Sequence, residues 1–172
     1  MENLKLISPT TQLEKQFRAM LQDWHSAKEE LSPWTIELDT SDFEKYVDTL
    51  LKASKGIGLK GLLVPHSSFW LIDENQNILA TSNLRHTLNE KLWLTGGHIG
   101  YGVAPSARRK GCATKILELT LLEAKKVGIE EALITCNKSN IGSAKSILKN
   151  GGEFWKETPM KNRITQYYWI SI

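Results

Sequence analysis

The hydrophobic pattern of the first 60 residues predicts a short strand, Leu4–Ser8, followed by two amphipathic helices. Capping-box patterns at Thr11–Glu14 and Ser41–Glu44 mark the helix starts. The first helix is predicted from about Thr11 to Lys28, and Gly56 and Gly58 end the second. Apolar residues recur at helical spacing in both helices: Leu13, Phe17, Met20, Leu21 and Trp24 in the first, Phe43, Val47, Leu50 and Leu51 in the second.

The pattern changes to that of β-strands from Ser68 onwards. Ser68–Asp73 and Ile78–His86 are strand-like and flank a polar turn, which predicts an antiparallel hairpin. Leu88–Thr95 fits either a helical turn or a loop. Gly96 and Gly97 then precede a central strand that runs from His98 to Ala104.

The second half alternates helices and strands. Ile116, Leu117, Leu121 and Ala124 give the helix after Gly111 an apolar face, and Gly128 ends it. The segment Glu131–Cys136 is typical of a buried strand, Gly142–Asn150 of a helix, and Ile164–Ile170 of a last, aromatic strand. A strand–helix–strand unit predicts a right-handed crossover and parallel neighbours. One α/β domain with a mixed sheet, spanning residues 1–172, is therefore expected.

Composition narrows the functional classes. The 172 residues are 41% hydrophobic and 24% charged, which is typical of a soluble globular protein. A net charge of +3 is too small to favour nucleic acid as the main partner. No apolar run has membrane-spanning length, and no leader-like segment opens the chain, so we expect a cytoplasmic protein with reduced thiols. The scattered cysteines and histidines predict no metal site.

The stretch most indicative of chemistry is a basic loop between the central strand and the next helix. Arg108, Arg109 and Lys110 precede Gly111, and an amphipathic helix begins directly afterwards. A helix start presents unpaired N–H groups and the positive end of the helix dipole, so it stabilises a phosphate or diphosphate. The alternative is a basic loop that binds no ligand. A dinucleotide motif and a P-loop are both excluded, because the required third Gly and the Gly-Lys-Ser/Thr are missing.

Two motifs resemble those of the GNAT superfamily of N-acetyltransferases. Arg108-x-x-Gly111-x-Ala113 follows Val103-Ala104-Pro105, and Asn140-x-x-Ser143 lies farther on, before Gly151. The resemblance implies a mostly antiparallel central sheet with flanking helices and a parallel strand–helix–strand unit for the cofactor. It also implies acetyl-CoA as co-substrate. The residues expected at the cofactor are Val103, Arg108, Arg109, Lys110, Gly111, Cys112, Ala113, Thr114, Asn140 and Ser143.

Within that resemblance, main-chain amides of residues 109–114 would contact the pyrophosphate, and Val103 would pair with the pantetheine arm. Asn140 would lie near the cofactor thiol. Spacing alone explains Asn140 equally well as a helix cap.

The usual catalytic residues of the family are missing. A tyrosine seven residues after the Asn is replaced by Ile147, and a glutamate five residues before it is replaced by Thr135. The first remaining candidates are His98, whose pKa is naturally near neutral, Tyr101 and Tyr168. His86, at the end of the preceding strand, and Tyr167 are further candidates. The alternative for His98 is a hydrogen-bonded structural histidine, which is the more common role of such a residue, and catalysis without a side-chain acid is also open.

The expected function is transfer of an acetyl group from acetyl-CoA to a primary amine of a small molecule or peptide, by direct attack. The alternatives are a non-catalytic acyl-CoA sensor or an interaction module. Trp24, His25, Glu29, Glu30 and Trp34 are candidate acceptor contacts, or else surface charge and core aromatics. Cys136 is a candidate nucleophile or plain core. The aromatic last strand predicts a possible homodimer if it lies at a sheet edge.

Overall fold

The computed structural model describes residues 3–172. It contains five helices, here α1 to α5, and seven strands, β1 to β7, in the described residues. The helices are Glu14–Ala27, Phe43–Ala53, Glu90–Thr95, Cys112–Lys126 and Ile141–Lys149. The strands are Lys5–Ile7, His66–Ile72, Ile78–Arg85, Ile99–Val103, Glu131–Asn137, Glu153–Met160 and Arg163–Ser171.

The helix caps differ slightly from the predicted capping boxes. Thr10 caps a 3-10 turn over Thr11–Leu13 that leads into α1. The cap of α2 is Asp42, whose side chain accepts a hydrogen bond from the Lys45 amide at 3.0 Å. The segment Leu88–Thr95, which fits either a helical turn or a loop, contains the helix α3. The Asn89 side chain caps this helix by accepting a hydrogen bond from the Leu92 amide at 3.0 Å.

The strands form two antiparallel sheets. One has the order β1-β2-β3-β4, and the other has the order β5-β7-β6. The predicted hairpin is confirmed as β2–β3, with Asp73 accepting the Asn75 and Asn77 amides at its turn. The α/β class with mostly antiparallel strands and flanking helices is confirmed.

Strand β6 was not predicted, and it changes the position of the last strand. Its residues are mostly exposed and include Pro159, so it lacks the alternation of a half-buried strand and lies at an edge, where proline is tolerated. Both edges of β7 are therefore paired, with β5 on one side and β6 on the other. The expectation that the last strand is a free edge for a second copy is wrong.

The strand–helix–strand unit β4-α4-β5 joins the two sheets. Its strands meet in a single bridge between Gly97 and Ile134 and otherwise pair with other strands. The expected parallel ladder is replaced by two strands that diverge beyond this bridge.

Two hydrophobic clusters hold the helices against these sheets. In the first, Phe17 of α1 packs on Trp70 of β2 with ring centroids 5.2 Å apart, and Phe43 and Tyr46 of α2 close around it. In the second, α4 and α5 cover strands of both sheets through residues such as Leu117 and Ile147. Within residues 3–172, no helix has the length and apolar character needed to cross a membrane.

Candidate active site

A gap between β4 and β5 begins at the point where the two sheets meet. The His98 amide donates to the Leu133 carbonyl at 2.7 Å, and the Leu133 amide donates back to the His98 imidazole Nδ1 at 2.9 Å. From there β4 follows β3 and β5 follows β7. The facing edges of β4 and β5 are thus separated without a strand between them.

The main chain of β4 presents hydrogen-bonding groups to this gap. His98 O and Ala104 N bond towards β3, at 2.8 and 2.9 Å. Because the bonding direction alternates along a strand, the amides of Tyr101 and Val103 point the opposite way, towards β5. An extended ligand arm in the gap would find these two amides as donors.

The basic loop closes one end of the gap. It starts with a 3-10 turn, Pro105–Ala107, and then uses left-handed backbone at Arg109 (φ 60°) and Gly111 (φ 80°) to turn into α4. Gly111 is the N-cap, and no side chain caps the helix. A left-handed N-cap costs glycine little, and the absence of a Cβ leaves the first turn open.

The first turn of α4 has amides that nothing in the described chain accepts. No backbone or side-chain acceptor within residues 3–172 is bonded to the N–H groups of residues 109–114. Arg109, Lys110 and Gly111 are exposed, while Cys112 is buried and burial raises the pKa of its thiol. Open amides, a helix dipole and two exposed cations suit a diphosphate.

Arg108 is engaged with the protein itself. Its Nε donates to the Val103 carbonyl at 3.2 Å, and its two terminal nitrogens donate to the Glu29 carboxylate at 2.8 and 2.6 Å. The guanidinium also lies over the Trp24 ring, 5.1 Å from its centroid. The Glu29 bond lowers the pKa of that carboxyl and raises the pKa of Arg108. Arg108 thus fastens the loop to β4 and to the end of α1.

The second motif brings α5 to β4. The Asn140 side chain caps α5 by accepting the Ser143 amide at 3.0 Å, which is the helix-cap alternative recognised from spacing. The Ser143 hydroxyl is 2.9 Å from the Tyr101 hydroxyl, so Tyr101 reaches across to α5. Burial raises the pKa of Tyr101 to about 12.

This geometry bears on the missing tyrosine of the family. Ile147 is fully buried, at 0% exposure, one helical turn beyond Ser143. Tyr101 therefore delivers a hydroxyl from β4 to the part of α5 that precedes the family position. The helix lacks the tyrosine of the family, but a tyrosine hydroxyl lies beside it.

Tyr168 lies near the same place on the other sheet. It pairs with Ile134 of β5, its hydroxyl donates to the Gln166 side chain at 2.9 Å, and burial raises its pKa. It shares a buried cluster with Cys136. Burial raises the pKa of the Cys136 thiol, which the neighbouring Ser143 hydroxyl opposes. A raised pKa keeps this thiol protonated, which disfavours the nucleophile alternative.

His98 joins the two sheets through the bond from the Leu133 amide to its Nδ1. Burial and the Arg85 charge lower its pKa to about 4, so the ring is neutral at physiological pH. Its assignment as a base stays a prediction, with Nδ1 already occupied by the main chain.

The acceptor candidates from the sequence fall into three groups. Trp24 is 4% exposed and belongs to the core, and Glu29 is held by Arg108. His25 and Glu30 are exposed at the end of α1. Trp34, half-buried, lines a cavity of about 500 Å³ near the start of β4.

Sequence reasoning missed the polar residues of this cavity. His66, Asn83 and Arg85 come from β2 and β3 and lie inside the wall, although strand patterns predict apolar side chains there. The sequence signal for these residues was a run of polar residues in β3, a strand in which most positions are buried. Within the described chain, no group of three or more His, Cys, Asp or Glu residues could hold a metal.

The fold is a mixed α/β arrangement in which two antiparallel sheets diverge at one bridge and an uncapped helix start lies at the end of the gap. The sequence matches the model of the acetyltransferase (GNAT) domain over residues 4–153, and the chain belongs to that family of acetyltransferases. No curated protein matches the sequence significantly.

Solved structures of acetyltransferases share the fold. The ribosomal-protein-S5-alanine acetyltransferase of Vibrio fischeri aligns with a TM-score of 0.73 at 12% identity, covering 99% of this chain and 94% of that one. A Salmonella typhimurium acetyltransferase that modifies the N-terminal serine of ribosomal protein L7/L12 aligns with a TM-score of 0.69 at 14% identity, covering 100% of this chain and 96% of that one. The microcin C7 self-immunity acetyltransferase MccE, solved with acetyl-CoA and AMP, aligns with a TM-score of 0.70 at 13% identity, covering 100% of this chain and 94% of that one.

Proposed function

We propose that the protein transfers the acetyl group of acetyl-CoA directly to a primary amine. The observation that carries the proposal is the uncapped start of α4 at the end of the β4–β5 gap. The diphosphate would bind the amides of residues 109–114, and Arg109 and Lys110 would add positive charge. The pantetheine arm would lie in the gap against Val103, and the thioester would reach Tyr101.

The chemistry follows from the groups around the gap. The neutral amine attacks the thioester carbonyl, and the oxygen gains negative charge that a β4 amide stabilises by hydrogen bonding. The carbon–sulfur bond then breaks, the amine nitrogen loses its proton to water, and the thiolate leaves as CoA. No base is required if the amine is neutral when it binds.

Tyr101 acts on the leaving sulfur as a hydrogen-bond donor. A pKa of about 12 keeps the hydroxyl protonated, and proton transfer from it to a thiolate of ordinary pKa is unfavourable. Donation of a hydrogen bond to a charged group contributes about 1.5–3 kcal/mol, or roughly 10- to 150-fold in rate. Ser143 positions this hydroxyl, and Asn140 positions Ser143 by capping the helix.

The test is CoA release from acetyl-CoA by a panel of amines, amino acids and peptides. Tyr101→Phe should lower kcat about 10- to 150-fold and leave CoA affinity within about threefold, because only the leaving group senses the hydroxyl. Tyr46→Phe is the matched control, since its buried hydroxyl donates to the Thr35 carbonyl at 3.2 Å in the cluster around Phe17, away from the gap. Equal loss in both variants would contradict the role of Tyr101.

A non-catalytic acyl-CoA sensor is the second candidate. The full burial of Ile147 favours it, because the helix cannot supply the donor common in the family. This alternative predicts saturable binding of acetyl-CoA in calorimetry but no CoA release with any amine.

We also infer a cytoplasmic location. Cys112 and Cys136 are free and buried, as suits a reducing compartment.

A further inference from the structure

The cavity beside the start of β4 lies at the end of the gap opposite the basic loop. Its wall includes Trp34 of the connection between α1 and α2, Gly96 at the end of α3, and Lys60, Leu62, Leu63 and Val64. From Gly97 to Val103 the chain spans about 20 Å at strand spacing. A thioester delivered along the gap from the basic loop would thus approach this cavity, and an acceptor amine would reach it from the other side.

The cavity is cationic. Lys60, Arg85 and Lys91 line it, and no Asp or Glu of the described residues does. Lys60 and Lys91 lie exposed at the rim, whereas Arg85 is half-buried. An anion inside would therefore find fixed positive charge without competition from a carboxylate.

Arg85 carries a half-buried charge without a counter-ion. Its NH1 donates to the carbonyls of Gly96 and Gly97 at 3.2 and 3.1 Å. None of the ion pairs among residues 3–172 includes it, and its Nε and NH2 have no acceptor there. Burial lowers its pKa to about 10. A buried charge is costly unless paired, so a guanidinium with free donors in a cavity suits an anion from outside.

His66 adds a second donor. Asn83 Nδ2 lies 2.9 Å from His66 Nδ1 and 3.4 Å from the Ser67 carbonyl, an orientation that makes Nδ2 the donor and leaves the imidazole proton on Nε2. No described residue accepts that Nε2–H. Burial and the Arg85 charge lower the His66 pKa to about 4, so the ring stays neutral. Asn83, fully buried in the cavity wall, also has an unpaired Oδ1.

We infer that this cavity binds the carboxylate or phosphate of a small acceptor that also carries the primary amine. The inference rests on the proposed function, since it assigns the substrate class of that site. Arg85 and His66 Nε2–H hold the anionic group, and the Trp34 ring, edge-on to His66 at 5.3 Å, contacts the carbon skeleton. A volume of about 500 Å³ suits a small molecule. The cationic wall also favours the neutral form of the amine, which is the reactive one.

The experiment compares acceptors that differ only in the anionic group. Amino acids are paired with their amides, and phosphoethanolamine with ethanolamine, so the two pairs distinguish a carboxylate from a phosphate. CoA release gives kcat/KM for each member. At least one anionic member should exceed its neutral partner by about 10- to 150-fold, the range for hydrogen bonds to a charged group. Equal or better use of the neutral partners would overturn the inference while leaving the proposed function intact.

Variants assign the preference to Arg85. Arg85→Gln should reduce the preference for the anionic acceptor to less than about threefold, with an unchanged Kd for CoA. Arg85→Lys should keep part of this preference, because the positive charge remains but the planar guanidinium with its paired donors is lost. Arg163→Gln, at the exposed first position of β7, is the matched control and should keep the full preference. Preference retained in Arg85→Gln would contradict the assignment.

Absence of CoA release with every amine would contradict the proposed function instead. Calorimetry of the same anionic amines with the CoA complex then decides the inference separately. Binding to the wild type that is lost in Arg85→Gln supports it, and absence of binding overturns it.

Discussion

Replacing Arg108 by alanine tests whether this residue mainly stabilises the fold or mainly binds the cofactor. In this protein the guanidinium bonds to the Val103 carbonyl and to both oxygens of Glu29, and it covers Trp24. Every one of these contacts is within the protein. We therefore expect Arg108→Ala to reduce the free energy of unfolding more than it reduces affinity for CoA.

The magnitude follows from the contacts. The Arg108–Glu29 pair is half-exposed, with side chains 37% and 44% accessible, so it contributes at most about 1 kcal/mol. The part-buried bond to the Val103 carbonyl adds about 1.5 kcal/mol, and the contact with Trp24 about 0.5 kcal/mol. Arg108→Ala should thus cost about 2–3 kcal/mol, and Glu29→Ala at most about 1 kcal/mol. For a chain of this size, the melting temperature should fall by about 4–12 °C in Arg108→Ala and by at most about 4 °C in Glu29→Ala.

Denaturant unfolding of the two single variants and the double variant measures these costs and their coupling. The coupling should be about 1 kcal/mol or less and should decrease in high salt. Calorimetry should show CoA affinity lowered less than tenfold by Arg108→Ala, because the charge is already neutralised by Glu29. Unchanged stability together with a hundredfold loss of CoA affinity would refute this reasoning and make Arg108 a phosphate ligand.

Three further predictions test other parts of the structure. A Cβ at Gly102 would meet the Ser32 carbonyl in the connection between α1 and α2. Gly102→Ala should therefore displace this connection, lower the free energy of unfolding by about 1–3 kcal/mol and raise the KM of the acceptor. Gly128→Ala, whose Cβ would lie in open space, is the control and should not change this KM. His98 has a folded pKa of about 4 against 6.5 unfolded, so its contribution to stability is complete above pH 6.5 and is lost as pH falls towards 4. His98→Asn, which keeps an acceptor for the Leu133 amide, should reduce the pH dependence of unfolding in that window and leave the part that His66 contributes, and an unaltered slope would contradict it. Ile147→Tyr should destabilise the fold by about 1–3 kcal/mol without raising kcat, because the site is fully packed, and a folded, faster enzyme would show that the family donor fits after all.

Local patterns predicted the fold where burial is regular. Helices α1, α2, α4 and α5 bury one face each, and their apolar spacing located them to within a few residues. Strand β6 has no such face, because most of its side chains are exposed at the sheet edge. Its pairing with β7 is a tertiary fact that no local pattern encodes, and the position of β7 depended on it.

The candidate site likewise has one part that local sequence patterns predict and another that depends on residues far apart in the chain. The basic loop was predictable because a glycine at a helix start is a local requirement, and Gly111 does adopt left-handed backbone. The engagement of Arg108 with Glu29 was not, since the two residues are 79 positions apart. Nor was the cavity of Arg85, which requires β2, β3 and α3 to be brought together.

The most direct test of the central claim follows the backbone amides of the basic loop by NMR. On addition of CoA to the labelled protein, the amide resonances of residues 109–114 should shift strongly, and pantetheine, which lacks the diphosphate, should leave them nearly unchanged while shifting Tyr101 and Val103. Saturable CoA binding with no shift in residues 109–114, or equal shifts with pantetheine, would show that the diphosphate binds elsewhere.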